Sequence, residues 1–191
     1  MPDLEYHVDA HDRISAVNEA WLSFAEANEG TALLPPEILG RSLWDFMGDL
    51  ETQHIYQALH ERVRTLNVPV QLCFRCDGPE SRRLLELNIV AEEDQQLIYR
   101  VRTLAEDFRP AVPLLDPRRP RSETFVTICA WCKRVATGPR QWLEVEAAAA
   151  ALPFFAESRP PQLTHGICEG CSERVQELLD GRRDNLILGG L

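Results

Sequence analysis

Two Cys-x-x-Cys pairs, Cys129/Cys132 in "TICAWCKRV" and Cys168/Cys171 in "HGICEGCSERV", are the residues of this chain whose type and spacing most directly imply chemistry. A Cys-x-x-Cys turn aims two sulfurs at a common point. Two such turns supply the four soft ligands that tetrahedral zinc accepts at about 2.3 Å. The expected site is one zinc per chain held by Cys129, Cys132, Cys168 and Cys171. It is expected to be structural, because four protein ligands leave no open position for water. His165, just ahead of the second pair, is a fifth candidate. It either stands beside the ion and hydrogen-bonds a ligand sulfur or a carbonyl, the preferred reading, or takes the place of one cysteine. An iron-sulfur cluster uses the same ligands and stays open as an alternative. The second pair precedes an expected helix, "SERVQELLDG", whose amides and dipole would stabilise thiolate charge, and Lys133, Arg134 and Arg174 are placed to offset it.

Cys73 and Cys76, in "QLCFRCD", have the same spacing but a different setting. On a strand, side chains three apart face opposite sides of the sheet and cannot grip one ion without a bulge. Val70, Leu72, Phe74 and Cys76 are expected on the core face, and Gln71, Cys73 and Arg75 on the other. Nor does this pair open a helix, as redox-active dithiols do. No phosphate-binding Gly-rich loop, His-Glu-x-x-His or Gly-x-Ser-x-Gly accompanies these residues, so the chain reads as non-enzymatic. Glu144/Glu146 and Glu92/Glu93 read as solvated faces, and the basic "PRRPR" as a short anion or partner contact.

Composition narrows the setting. A formal net charge of -10 over 191 residues repels phosphate backbones, which disfavours nucleic acid as a partner and weakens the reading of a zinc-containing transcription regulator. The longest apolar run, around "EAAAAALPFF", is too short to span a membrane, and "MPDLEYHVDAHD" lacks the basic and apolar parts of a signal peptide. A cytoplasmic protein is expected. There, six cysteines argue for metal or redox chemistry over a disulfide frame.

The elements that must carry these residues fall into two groups. A Pro- and Arg-rich stretch, "EDFRPAVPLLDPRRPRS", has neither helical nor alternating period and reads as a linker. The expected organisation is a first domain over 1–105, the linker over 106–122, the cysteine module over 123–181 and a tail over 182–191. In the first domain "LEYHV" and "RISAVN" read as a hairpin turned at His11 and Asp12. Asn18 then caps a helix with Trp21, Phe24 and Ala25 on one face. A longer helix runs from Glu51 to Leu66, its apolar stripe made by Ile55, Leu59, Val63 and Leu66. Three strands, "VPVQLCFRCD", "RRLLELNIVAE" and "QLIYRVRTL", form an antiparallel meander. The fold class is α+β, a five-stranded antiparallel sheet with helices on one face, followed by a small zinc-binding module.

The segments "AVNEAWLSFAEAN", "ILGRSLWDF" and "FRCDGPESRRLLELNI" resemble PAS domains, specifically a group of small bacterial PAS proteins, over roughly residues 5 to 104. Cys129, Trp131, Cys132, Lys133, Trp142, Val145, Glu146, His165, Gly166, Ile167, Cys168 and Cys171 resemble a tail found after PAS domains in bacterial sensor proteins and some histidine kinases. The resemblance implies a sensory or interaction domain in signal transduction, with the small molecule sensed left open. Some PAS proteins hold heme through a His on the long helix. His60 is the candidate here, disfavoured because it lies on the flank of the stripe, while His54 points away from it. The Asn-Cys-Arg motif of the flavin-binding branch is missing. A heme, iron-sulfur or thiol-based redox or gas sensor is thus the rival reading. Apolar residues thought to lie on both sides of the last two strands, Leu85, Leu87, Ile89, Ile98, Tyr99 and Val101, suggest a covered outer face. The cover could be the zinc tail folding back, a second copy of the chain, which is expected, or another protein, with the linker's own "FRPAVPLL" as the competing occupant.

Overall fold

The computed structural model describes residues 3–27, 30–152, 159–182 and 185–188. The chain opens with strands β1 (Leu4–Val8) and β2 (Ile14–Val17), joined by a turn in which Asp12 takes a left-handed conformation (φ 58°). Helix α1 (Glu19–Ala27) starts where expected: Asn18 Oδ1 accepts from the Trp21 amide at 2.9 Å. Ala25 is buried and Trp21 half-buried, but Phe24 faces out, its neighbourhood shared with a surface cavity.

Helix α2 (Leu50–Leu66) is fastened at both ends. Asp49 accepts from the Thr52 amide at 2.7 Å, and Asn67 closes the last turn in the left-handed region (φ 52°). Its buried arc differs from the expected stripe. Leu59, His60 and Val63 are buried, whereas Leu66 is 57% exposed. The arc is turned toward His60 because both nitrogens of that ring find partners inside, which removes the cost of burying it. His54 is exposed, as its position on the wheel required.

Strands β3 (Val70–Arg75), β4 (Ser81–Ala91) and β5 (Leu97–Phe108) follow as the antiparallel meander. The strands order β3-β4-β5-β1-β2, five antiparallel neighbours, and β10 (Asn185–Leu188) adds a sixth strand parallel to β3. Two expected boundaries shift: residues 106–108 stay in the sheet, paired up to Ser81 with Phe108, and part of the 182–191 tail joins it.

The register decides which residues share a face. Leu87 pairs with Val101 and Ile89 with Tyr99, so Leu85, Leu87, Ile89, Tyr99 and Val101 lie together on the helix-covered face; of the six, Ile98 alone is on the other. Of the six, the outer face keeps only Ile98, which pairs with Val90. That face instead carries Arg102 on Glu86 at 2.7 Å, Gln71 on Glu86 at 2.7 Å and Arg100 on Glu5 at 2.7 Å. Cys73 lies beside Glu86 there, buried, with its thiol pushed up by burial and by that carboxylate.

The remainder forms a second sheet, order β8-β7-β6-β9, from β6 (Phe125–Cys129), β7 (Val135–Gly138), β8 (Gln141–Leu143) and β9 (Gln162–Gly166), with helices α3 (Val145–Ala151) and α4 (Glu169–Leu179). Val112 and Leu114 of the expected linker are buried with Val126, Ile128, Val135, Val145 and Ala148. The linker thus packs into the module, not over the outer face of the first sheet. No helix among the described residues is long and apolar enough to cross a membrane.

Candidate metal centre

β6 and β9 run parallel, with Cys129 opposite Gly166, so the turn leaving β6 and the turn leaving β9 lie side by side. The first turn reverses at Lys133, whose φ of 62° is left-handed. Its amide donates to the Cys129 carbonyl at 3.1 Å, and the Cys129 amide takes the Arg134 carbonyl at 2.7 Å. Ala130 donates to the Gly166 carbonyl at 2.8 Å and ties the two turns together. In the second turn Cys168 is the N-cap of α4 and Cys171 sits in its first turn. The Cys171 amide donates to the Cys168 carbonyl at 3.0 Å.

The sulfurs of Cys129, Cys132, Cys168 and Cys171 all lie within 4.8 Å of one another, and all four residues are buried. None is in a disulfide. Cys132 and Cys168 sulfurs are 3.7 Å apart, and the Cys168 amide donates to the Cys129 sulfur at 3.4 Å. The electrostatics of so tight a set is unbalanced. Hydrogen bonds from Cys132, Cys168 and Cys171 drive the Cys129 thiol far below its usual range, and the Cys171 thiol is driven far up by Cys129, Cys132 and Cys168. A bound cation would let all four ionise together, which is why such a set can hold a metal ion. Arg134 faces the set, held up by its hydrogen bond to Glu144 and by the charges of Cys132 and Cys168.

His165 stands apart. It is exposed on β9, opposite Ile128, and is not one of the clustered residues. Cys73 and Cys76 are also separate from the cluster, both free thiols on or after β3. His60, considered for heme, is 2% exposed with both ring nitrogens engaged: Nδ1 with Asp12 Oδ1 at 2.7 Å and Nε2 with the Tyr99 hydroxyl. That position leaves no nitrogen free for an axial bond to iron.

The cluster is not a separate body. Cys129, Trp131, Cys132, Cys168, Cys171, Val175 and Leu178 belong to the same apolar core as Leu59, Leu72, Leu87, Ile89 and Tyr99 of the first domain. Trp131, inside the first Cys-x-x-Cys turn, is buried and stacks on Tyr56 of α2 at 5.5 Å between ring centres. Its carbonyl accepts from the Arg75 amide at 2.8 Å.

Around that contact lies an ion network that local patterns did not foretell. Arg75 is 1% exposed; its guanidinium pairs in fork fashion with the fully buried Asp77 side chain and donates to Glu144 Oε2 at 2.5 Å. Arg109 reaches Asp77 at 3.3 Å and Glu146 at 2.8 Å, Arg82 reaches Glu146 at 2.8 Å, and Arg134 reaches Glu144 at 3.1 Å. Glu144 and Glu146, expected to be solvated, join the module to the sheet. Burial raises the pKa of both carboxyls, but the arginines outweigh it: Glu144 ends below its usual value and Glu146 falls to about 2. The signal available in the sequence was the Arg-Cys-Asp and Trp-x-x-Val-Glu motifs, which contain Arg75, Asp77 and Glu146 without saying that they meet.

No family model matches the chain, and no curated protein matches it.

Proposed function

We propose that the chain is a non-enzymatic signalling protein, a PAS-like sensory or interaction domain whose attached module carries a structural zinc. The observation that carries this reading is the burial of four thiols within 4.8 Å of one another in the same core as the sheet. Ligand chemistry favours zinc: four soft sulfurs from two Cys-x-x-Cys turns make a closed tetrahedral set with no carboxylate or water position. The antiparallel five-stranded sheet with helices on one face is what a PAS resemblance implies. Free buried thiols suit a reducing compartment, hence the cytoplasm. A second copy or a protein partner would dock on the ion-paired outer face through charge complementarity, with the exposed Arg102 and Arg100 and the half-buried Glu5 as contact groups.

Metal analysis and an ultraviolet-visible spectrum of one preparation test the reading. The expected result is one zinc per chain and no visible band, with the metal lost in the Cys129→Ser/Cys168→Ser double variant and retained in His165→Ala. Iron with visible sulfur-to-iron or heme bands would replace the reading with that of a redox or gas sensor, and a preparation free of metal would remove it.

A further inference from the structure

All three tyrosines and three of the four tryptophans of the chain form one contiguous series of rings. Trp21 meets Tyr6 at 5.2 Å between centres, Tyr6 stacks on Tyr99 at 4.5 Å, Tyr99 on Tyr56 at 6.5 Å, and Tyr56 on Trp131 at 5.5 Å. Trp44 joins from the side, 5.2 Å from His60. The series begins at the half-buried Trp21, crosses the core and ends in the turn between Cys129 and Cys132. Tyrosine and tryptophan, with the cysteine thiolate, are among the side chains that most readily lose a single electron. Rings in van der Waals contact pass such an electron without large movement.

One member has what tyrosine oxidation needs. A phenol that loses an electron becomes a strong acid, so a base must stand within hydrogen-bond reach to accept its proton. The Tyr99 hydroxyl meets His60 Nε2, and His60 Nδ1 is 2.7 Å from Asp12 Oδ1, which also takes Arg64 at 2.9 Å. A carboxylate paired with arginine accepts, so Nδ1 carries the imidazole proton and Nε2 is the free acceptor facing the phenol. Burial, against the pull of Asp12, keeps His60 below its ordinary pKa and therefore neutral near pH 7. Tyr99 is fully buried and its neighbours exclude water from the pair.

We propose that Tyr99 is a proton-coupled redox site that connects an oxidant at the surface with the four-cysteine cluster. An outer-sphere one-electron oxidant at Trp21 gains an electron that leaves Tyr99 by way of Tyr6. The phenolic O–H bond breaks, its proton binds His60 Nε2, and the products are a neutral tyrosyl radical, an imidazolium on Asp12 and the reduced oxidant. A cysteine thiolate then returns an electron through Trp131 and Tyr56, and the proton returns from His60 to the Tyr99 oxygen. The sulfur is left as a thiyl radical, and in the Cys132–Cys168 pair a second sulfur stands 3.7 Å away, at van der Waals distance. The net change is one electron from sulfur to oxidant, with the Tyr99 and His60 protons restored. This makes the cysteine module the recording end of an oxidant sensor. It rests on the clustered cysteines, not on which ion they hold.

The test is flash-quench oxidation of the full-length protein, with its metal content measured beforehand so that the zinc reading is judged separately. Photo-excited tris(bipyridine)ruthenium with a cobalt(III) ammine as electron acceptor supplies the oxidant, and samples frozen after the flash are read by electron paramagnetic resonance and by thiol titration. The wild type is expected to give a neutral tyrosyl radical that decays as thiols are lost. Tyr99→Phe is expected to lose both the radical and the thiol loss, and Trp131→Phe to keep the radical, prolong it and protect the thiols. High-field spectra of the wild type decide the base independently of any variant, because a radical oxygen hydrogen-bonded to imidazolium has a lowered g-tensor component. No tyrosyl radical in the wild type, an undiminished one in Tyr99→Phe, an unshifted g-tensor, or unchanged decay and thiol loss in Trp131→Phe overturns the proposal.

Discussion

The sheet region and the cysteine module solve the burial problem differently. The sheet encloses its own core, with Leu59, Leu72, Ile89, Leu97 and Tyr99 fully buried between one face of the strands and the helices. The module has one short four-stranded sheet whose private cluster is small and includes Val112 and Leu114 from the preceding connection. Its remaining apolar residues, Trp131, Val175 and Leu178 among them, are buried only because they share the core of the sheet region. A unit this small rarely buries enough surface to fold alone. It is held by three supports: the four-sulfur set, the stacking of Trp131 on Tyr56, and the arginine-carboxylate network. The comparison teaches that an ion held by the four sulfurs would be linked to docking and folding of the module in one equilibrium, with the sheet region as its platform.

The strongest way to break this comparison is to strip the proposed zinc from the four sulfurs. Structural zinc in small modules supplies folding free energy on the order of 10 kcal/mol. Chelation should therefore raise amide exchange across β6, β7, β9 and α4 while β4 and β5 stay protected. Because Trp131 lies on α2 and its carbonyl caps the Arg75 amide, exchange should also quicken at Arg75 and around Tyr56. Uniform loss of protection through β4 and β5 would mean that the platform depends on the module as much as the reverse.

Next in size is Arg75→Ala. The substitution leaves the buried Asp77 carboxylate and Glu144 without their main partner. Removing one partner of a buried pair costs about 3–5 kcal/mol, and urea unfolding should show a loss of that order. A change under about 1 kcal/mol, the range of exposed pairs, would show that the network is solvated.

The smallest expected effect is an acid step. Glu146 has a folded pKa of about 2 against an ordinary 4.5, so its contribution is fully present above pH 4.5 and is lost as pH falls through the folded value. Glu144 shifts in the same direction. Both carboxylates are partly exposed, so screening keeps the step small. Stability measured between those pH values should decline in the wild type and flatten in Glu146→Gln; parallel slopes would take Glu146 out of the docking contact.

Local chemistry was readable where a residue's role depends on its near neighbours. Cysteine spacing announced the sulfur cluster, Asn18 announced the start of α1, and alternation separated Cys73 from Cys76. The five strands of the first domain were legible for the same reason: period and turn residues are properties of short segments. Pairing across the chain was not. Glu144 looked solvated because sequence shows the face a carboxylate occupies and not the Arg75 that arrives against it from β3. Leu85 and Ile98 looked like a two-sided apolar surface because facing is settled by register, and register is settled between strands. His60 belonged to the flank of a helix until Asp12 and Tyr99, from two other elements, took both its nitrogens and made its burial favourable. The sequence alone thus determined which groups could bind a metal. Tertiary structure alone decided that these groups meet inside the core of the neighbouring sheet, since only folding brings the charges and rings that hold them there into contact.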